Sequence, residues 1–454
     1  MLMEPYRSRV VEPIRVTTRE ERERFIRAAA YNPFLLPAEQ VMIDLVTDSG
    51  TSALSIAQWA AMHGSDESFT GSRSFERFAA AARSVFGRRH VIPCHQGRAA
   101  EHLIAAAVIS PGDVVLANTL FATTRQNFEE AGATCRDLPI AAALARDGAH
   151  PFKGNIDLEA LEDGLRAAGG RVRLVVLTVT ENSRGGQPVA LANIRAASAL
   201  CRQFGVPLWL DAARVAENSY LNVLRDPACR TMSARDVARE TFALVDGVFM
   251  SMKKDGLGNV GGLIALDDDR WAEAILVRLL VSEGIPAAGG LAGRDLEAMR
   301  VALEEMFDDD HLAYRVEATA FLGERLADAG VPVVTPFGAH AIYVDGRQFC
   351  PHLTDEQLPA WSLSVAFYVH AGVRGWETGN VMRGRQDPAT GQWRWPELDL
   401  FRLAIPRRVY SASHLRYVAD TLSDLYLRRE TITGLRFVYR PPALPQFIAR
   451  FEPV

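Results

Sequence analysis

Between Val245 and Gly262 the chain reads Val-Asp-Gly-Val-Phe-Met-Ser-Met-Lys-Lys-Asp-Gly-Leu-Gly-Asn-Val-Gly-Gly, an order that few folds can absorb. The apolar run Val248, Phe249, Met250 reads as a buried strand. It hands Ser251, Lys253 and Lys254 to a glycine-rich turn, and a second apolar run, Leu263 to Leu266, leaves that turn. A lysine parked at a strand end inside a dry cleft is a candidate Schiff-base residue, because burial and a neighbouring cation both favour the free amine. Two solvated lysines in a turn are the plainer alternative from these residues alone.

A third apolar run, Val206-Pro-Leu-Trp-Leu-Asp211-Ala-Ala-Arg214, ends in an aspartate. An Asp at a strand end is commonly a turn or helix cap. Coupled to Lys254 it has a second meaning: pyridoxal phosphate needs a carboxylate to keep its pyridine nitrogen protonated and a lysine to hold its aldehyde. The phosphate requires a third component. His95-Gln96-Gly97-Arg98 opens an alanine-rich helix, where free N–H groups, the helix dipole and a guanidinium coincide. Phe121, at the end of the strand that starts near Asp113, can stack on a flat ring or fill core.

Other motif readings of the same stretch fail on context. Ser251-Met-Lys-Lys254 fits Ser-x-x-Lys, but the Ser-Asp-Asn and Lys-Thr-Gly partners of that acyl-transfer site occur nowhere in the chain. Gly256-Leu-Gly-Asn-Val-Gly261 matches a dinucleotide fingerprint, yet a strand follows where the pyrophosphate needs a helix N-terminus.

At 454 residues, 48% apolar, the chain can bury a large core in two or more domains. Its net charge of −5 and lack of long basic runs give no electrostatic case for nucleic acid or an anionic membrane. The five cysteines are scattered without metal-type spacing, which suits a reducing compartment. No apolar stretch approaches the roughly twenty residues of a membrane span, and the N-terminus lacks the features of a signal peptide, so a cytoplasmic protein is expected.

In chain order, Thr17 to Tyr31 reads as an exposed helix of an N-terminal arm. Met42 to Thr51 gives a short strand and a turn whose hydroxyls and amides suit a carboxylate. Ser72 to Phe86 reads as a helix. Strands near 91, 113, 173, 206, 245 and 262 alternate with helices, which predicts an α/β fold with a large, mainly parallel sheet and functional residues at the strand ends. A long helical region, 295 to 329, leads to an α+β tail with short strands at Ala339 to Val344 and Leu400 to Ala404. A polar excursion at Gly384 to Trp395 and a helix near Leu415 to Arg428 complete it, and Pro441-Pro-Ala-Leu-Pro445 reads as an extended strap. The expected division is an N-terminal arm (1–47) joining the small domain, a large cofactor-binding domain (48–310), and a small α+β domain (311–454).

The whole chain resembles the β-eliminating lyases, tyrosine phenol-lyase and tryptophanase. The resemblance rests on Asn32-Pro-Phe-Leu-Leu36, Asp44-Leu-Val-Thr-Asp-Ser-Gly-Thr51, His95-Gln-Gly-Arg98, Gly185-Gly-Gln-Pro188, Ser251-Met-Lys-Lys-Asp255, Gly289-Gly-Leu-Ala-Gly-Arg-Asp-Leu-Glu-Ala-Met299 and Ile405-Pro-Arg-Arg-Val-Tyr410. The last two lean toward the tyrosine enzyme. The resemblance implies a fold-type I, aspartate aminotransferase-like pyridoxal phosphate enzyme. Lys254 would be the Schiff-base lysine and α-proton base, Asp211 would sit on the pyridinium nitrogen, and Arg214 on the cofactor's phenolic oxygen. Phe121 would stack on the ring, while Gln96, Gly97, Arg98, Ser251 and Lys253 hold the phosphate. Arg402 with Asn182, and the turn at Thr47 to Ser49, would bind the substrate carboxylate. A monovalent cation, K+ or Na+, is implied at Glu67 and the backbone oxygens of Gly50 and Asn259, and a homotetramer built as a dimer of dimers is the implied assembly.

Departures from the family pattern bear on substrate. The family's leaving-group acid, a tyrosine, is Phe69 here, and a second active-site tyrosine is Ala288. The arginine and threonine that hold a phenol are Thr378 and Ala122, and tryptophanase's C-terminal histidine is Gln446, next to Phe447. Trp376 and Arg184 are additional side chains able to reshape the pocket. Expelling phenol or indole requires protonating a ring carbon, and losing a general acid lowers such a rate by ~10²–10⁴. The expectation is therefore α-deprotonation and β-elimination on an L-amino acid other than tyrosine or tryptophan. The alternatives are an ordinary tyrosine phenol-lyase or tryptophanase with His63, Arg184 or a water supplying the proton, a β-replacement enzyme, and a pyridoxal phosphate-binding relic.

Overall fold

The structure, a computed structural model, describes residues 2–387 and 390–454. Residues 1, 388 and 389, which belong to the N-terminal arm and the polar excursion read above, lie outside it. The chain forms two compact units, one of residues 1–48, 144–149 and 314–454 and the other of residues 49–143 and 150–313.

The second unit is built on a seven-stranded sheet. Its strands in chain order are β1 (His90–Cys94), β2 (Val114–Ala117), β3 (Thr134–Asp137), β4 (Val172–Thr178), β5 (Leu208–Asp211), β6 (Gly247–Ser251) and β7 (Gly262–Leu266), arranged β1-β7-β6-β5-β4-β2-β3. Pairings from β3 through β6 are parallel, and β7 runs antiparallel to both β6 and β1. The continuous apolar runs follow from having a core on each face. In β5, Leu208 and Leu210 join one hydrophobic cluster and Trp209 the other; in β6, Val248 and Met250 face the first and Phe249 the second. Each such side chain contributes ~1.5–3 kcal/mol on burial, so the sheet centre is the rigid frame from which Asp211 and Ser251 emerge. The edge strand β3 escaped the sequence reading because its Thr-Cys-Arg-Asp carries no apolar run and its residues stay exposed or half-buried.

In the first unit, β8 (Ala341–Asp345), β9 (Trp376–Glu377) and β10 (Leu400–Ala404) form an antiparallel sheet in the order β9-β10-β8. Trp376 stands opposite Arg402, and Arg402 opposite Tyr343. A parallel bridge joins Ile43–Asp44 to Val373–Arg374, so the N-terminal segment is part of this unit's framework. The helix Pro359–Ala371, absent from the sequence reading, is buried nearly all round and carries no polar stripe to reveal it. The long helical region near 300 is two helices, Gly293–Glu305 and Asp309–Asp328. The strap expectation is also corrected: Pro445 starts a short helical turn, Pro445–Ile448, and Leu435–Tyr439 pairs antiparallel with Arg450–Pro453. Proline is favoured at a first helical position because the N–H it lacks would have no intrahelical partner there.

Candidate active site

The strand ends of the sheet open onto one cavity. Ser49, Gln96, Gly97, Arg98, Phe121, Asn182, Asp211, Arg214, Ser251, Lys253 and Lys254 line it, together with Glu101, Thr123, Thr178 and Thr180. Every candidate cofactor residue read from the sequence is therefore a wall of the same space.

The turn after β6 is tightly anchored. Met252 N donates to Gly261 O at 3.0 Å, Leu257 N to Lys254 O at 2.9 Å, and Gly258 N to Met252 O at 2.9 Å. Asp255, next to Lys254, accepts from the amides of Ala216 (2.8 Å) and Glu217 (3.0 Å) in the first turn of the helix Val215–Arg225. A carboxylate at a helix N-terminus is favoured by the dipole, so Lys254 is fixed from its own neighbour. The Lys254 Nζ lies 5.9 Å from the centroid of the Phe121 ring.

The helix Gly97–Val108 begins without a side-chain cap, and Gln96 Nε2 turns instead to His95 Nε2 at 2.8 Å. A Cβ on Gly97 would lie 2.6 Å from Ser251 Cβ, so glycine is what lets this helix start meet the end of β6. Beside it, burial and the Arg98 guanidinium lower the Lys253 pKa. Two cations held together at an uncapped helix N-terminus form a cradle that an anion would relieve. At the other end, burial raises the pKa of Asp211, opposed by the nearby Lys254, by the amide of Ala213 and by Arg214. Among the described residues the buried hydroxyls of Thr178 and Thr180 have no hydrogen-bond partner. A phosphate cradle, a flat aromatic wall, a buried carboxylate, a lysine and two orphan hydroxyls fit pyridoxal phosphate.

Residues assigned to the substrate side are placed as follows. In the first unit, Arg402 Nη2 donates to Val46 O at 3.0 Å, and Phe34, Trp376 and Phe447 form a three-ring cluster with centroids 4.8–5.4 Å apart. Thr378 Oγ1 and Gln446 Oε1 are buried without hydrogen-bond partners among the described residues. Thr47 and its neighbour Asp48 belong to this unit, whereas Ser49 lines the cavity of the other. Phe69 is 75% exposed and His63 is exposed. Ala122 is the first residue of the helix Ala122–Glu130, and Ala288 lies in the loop before Gly289. Arg184 is buried and donates through Nη1 to Thr119 Oγ1.

Of the residues expected to hold a cation, Asn259 donates through Nδ2 to Gly50 O (3.1 Å) and Ser52 O (2.9 Å), and Glu67 Oε2 accepts from Gly293 N at 3.0 Å. Among the described residues no helix is long and apolar enough to cross a membrane, and all five cysteines are unbridged.

Sequence reading missed Glu101, Thr123, Thr178 and Thr180. Glu101 had a signal: it is an acid on the helix face it shares with the buried Gly97, Ile104, Ala105 and Val108, one turn inside the uncapped start.

Fold and cleft together define a fold-type I pyridoxal phosphate enzyme. The serine palmitoyltransferase of Sphingomonas wittichii shares the fold, with a TM-score of 0.62 and 17% identity over 91% of this chain and 97% of that one. The family described as Beta-eliminating lyase matches residues 44–421, and the chain belongs to it. A protein of Salinibacter ruber named tryptophanase is 50% identical over 452 residues, 100% of this chain and 96% of its own length. One of Symbiobacterium thermophilum named tyrosine phenol-lyase is 45% identical over 454 residues, 99% of this chain and 98% of its own.

Proposed function

We propose that this enzyme eliminates the side chain of an aromatic L-amino acid, with L-tryptophan the first substrate to test, giving pyruvate and ammonia. The observation that carries the reading is the cavity in which Lys254, Asp211 and Phe121 converge on an anion cradle, in a chain half identical over its full length to a protein named tryptophanase. Thr378 and Ala122, standing where the resemblance places a phenol clamp, favour indole over phenol, and the Phe34–Trp376–Phe447 cluster offers aromatic surface.

Pyridoxal phosphate, when bound, supplies an electron sink for the bond electrons left at the substrate's α-carbon. In this reading Lys254 Nζ takes the α-proton, Asp211 would keep a proton on the ring nitrogen, and Arg214 would hold the ring's oxygen. Gln96, Gly97, Arg98, Ser251 and Lys253 would bind the phosphate, and the resemblance gives the substrate carboxylate to Arg402 with Asn182. Phe121 packs on the ring and keeps water from that face. Glu67 with the carbonyls of Gly50 and Asn259 is the proposed monovalent cation site, tested by activity in K+ against a bulky organic cation. Exposed Ile56 (67%), Trp59 (47%) and Phe69 support burial between subunits of a homotetramer, which light scattering checks.

Phe69 and Ala288 favour a second reading, in which the β-substituent leaves without ring protonation, as a thiol does. Pyruvate release from L-tryptophan, L-tyrosine and S-methyl-L-cysteine separates the two. Pyruvate from the sulfur amino acid alone would overturn the aromatic reading; indole appearing with pyruvate supports it.

A further inference from the structure

Glu101 is a charged side chain only 6% exposed, and its place in the cavity has no role in the chemistry above. Burying a carboxylate is unfavourable unless something nearby compensates it. What surrounds it is specific. Its Oε2 accepts from Thr123 Oγ1 at 2.6 Å. Thr123 sits in the first turn of the helix Ala122–Glu130, whose N-cap residue is Phe121. Glu101 itself lies one turn into the helix that Gly97 and Arg98 begin. The carboxylate thus ties the helix that holds the phosphate cradle to the helix that carries the aromatic wall. It also places a second negative group beside Asp211 and Lys254.

We propose that Glu101 is a positioning residue of the cofactor site: through Thr123 it sets Phe121 against the phosphate cradle, and through its charge it tunes the surroundings of the Lys254 amine. The proposal rests on the reading of Lys254 as the cofactor's lysine. The charged groups sharing the cavity with Glu101 are Asp211 from β5, Lys253 and Lys254 from the turn after β6, Arg98 from its own helix and Arg214 ahead of the next. The Cys94 thiol, at the end of β1, is also close enough to feel its charge. Burial pushes the Glu101 carboxyl up to about 7, with the Thr123 hydrogen bond lowering it, Asp211 raising it and Lys254 lowering it. Glu101 therefore changes charge near neutrality. Above that point a carboxylate acts on the Lys254 nitrogen and favours its protonated form; below it, a neutral acid does not.

The test uses the full-length protein loaded with pyridoxal phosphate and no substrate, following the bound cofactor's visible absorbance against pH. The unsubstituted protein is expected to show an inflection near neutrality. Glu101→Gln, which keeps an acceptor for Thr123 but no charge, is expected to lose it. Thr123→Val, which removes a hydrogen bond that favours the charged carboxylate, is expected to move it to higher pH and to weaken cofactor retention on dialysis. A Glu101→Gln titration that superimposes on the parent's overturns the proposal. Should that variant fail to fold, an unmoved inflection in Thr123→Val overturns it equally. Failure of the Lys254 reading is distinguishable, because the parent would then bind no cofactor that borohydride can fix to Lys254.

Discussion

Each unit buries two neighbouring carboxyls, and the two settings are opposite in character. In the unit built on β8–β10, Glu377 accepts from the amides of Val381 (2.9 Å) and Met382 (3.1 Å), and Asp399 from those of Asn380 (2.7 Å) and Ala360 (2.9 Å). Every carboxylate oxygen there has a backbone N–H, and the pair holds the turn around residue 380 to the start of the helix Pro359–Ala371. In the sheet unit, Asp211 accepts from the amide of Ala213 (3.1 Å) and Glu101 from the Thr123 hydroxyl, while a lysine and a cavity face them. Burial raises the pKa in all four. Burial and a perturbed pKa therefore do not by themselves mark a working carboxylate; an opening and a cation beside it do. The amide-saturated pair is a fastener, and the cavity-facing pair is available to a ligand.

The largest effect that separates the two regions belongs to the cavity. Replacing Lys254 with Ala removes the amine that faces Phe121, and pyruvate release is expected to fall by ~10²–10⁴ with little change in the unfolding midpoint. Turnover within about tenfold of the parent would break the assignment of Lys254 as the proton-handling group. In the fastener the pattern reverses. Asp399→Ala orphans the amides of Asn380 and Ala360, each worth about 1–3 kcal/mol when buried without a partner, so urea unfolding should shift strongly while cofactor affinity is retained. Loss of cofactor without loss of stability would show that the two pairs do not divide the work in this way.

The cavity side of this comparison was more legible in the sequence than the fastener. Candidate residues such as Asp211 and Ser251 at strand ends, and Lys254 in the turn after β6, announce themselves, because a strand buried on both faces writes an unbroken apolar run that ends where the cavity begins. Glu377 and Asp399 sit beside two-residue or irregular segments with no periodicity, and the helix they anchor is apolar all round, so neither period nor amphipathicity flagged them. Glu101 was missed for a different reason. Its helix position was read correctly, but only the fold brings Thr123, 22 residues onward, against it. The substrate-side residues were named through resemblance, and their burial and orphan atoms, as at Thr378 and Gln446, are properties of packing that sequence does not carry.

The fastener also makes a pH prediction. Burial first, then the charge of Asp399, raise the Glu377 pKa well above that of a free glutamate. A carboxyl whose folded pKa is raised contributes stability that is complete below its unfolded pKa and is lost as pH rises through the folded one. Parent stability should therefore decline over that upward window, and Glu377→Gln should decline less, because it carries no proton to lose. Thermal midpoints of the two proteins, compared from about pH 5 to about pH 9, should move in the variant's favour as pH rises. A constant gap would mean that the pair keeps its charge state across the range.

The smallest expected effect tests whether an orphan atom on the substrate side belongs to the ligand. Thr378 Oγ1 is buried without a partner, so exchanging the hydroxyl for a methyl in Thr378→Val removes a group that the folded protein leaves unsatisfied. If the hydroxyl serves nothing, the variant should be as stable as the parent or more so, by up to ~1 kcal/mol, with unchanged kinetics. If it meets the substrate, stability should rise in the same way while kcat/KM for the aromatic substrate falls and that for S-methyl-L-cysteine holds. That divergence would assign Thr378 to the leaving-group pocket, because a purely structural defect would lower both substrates together. Equal losses on both would instead place the hydroxyl's role in packing, and the comparison of the two regions would then rest on their carboxylates alone.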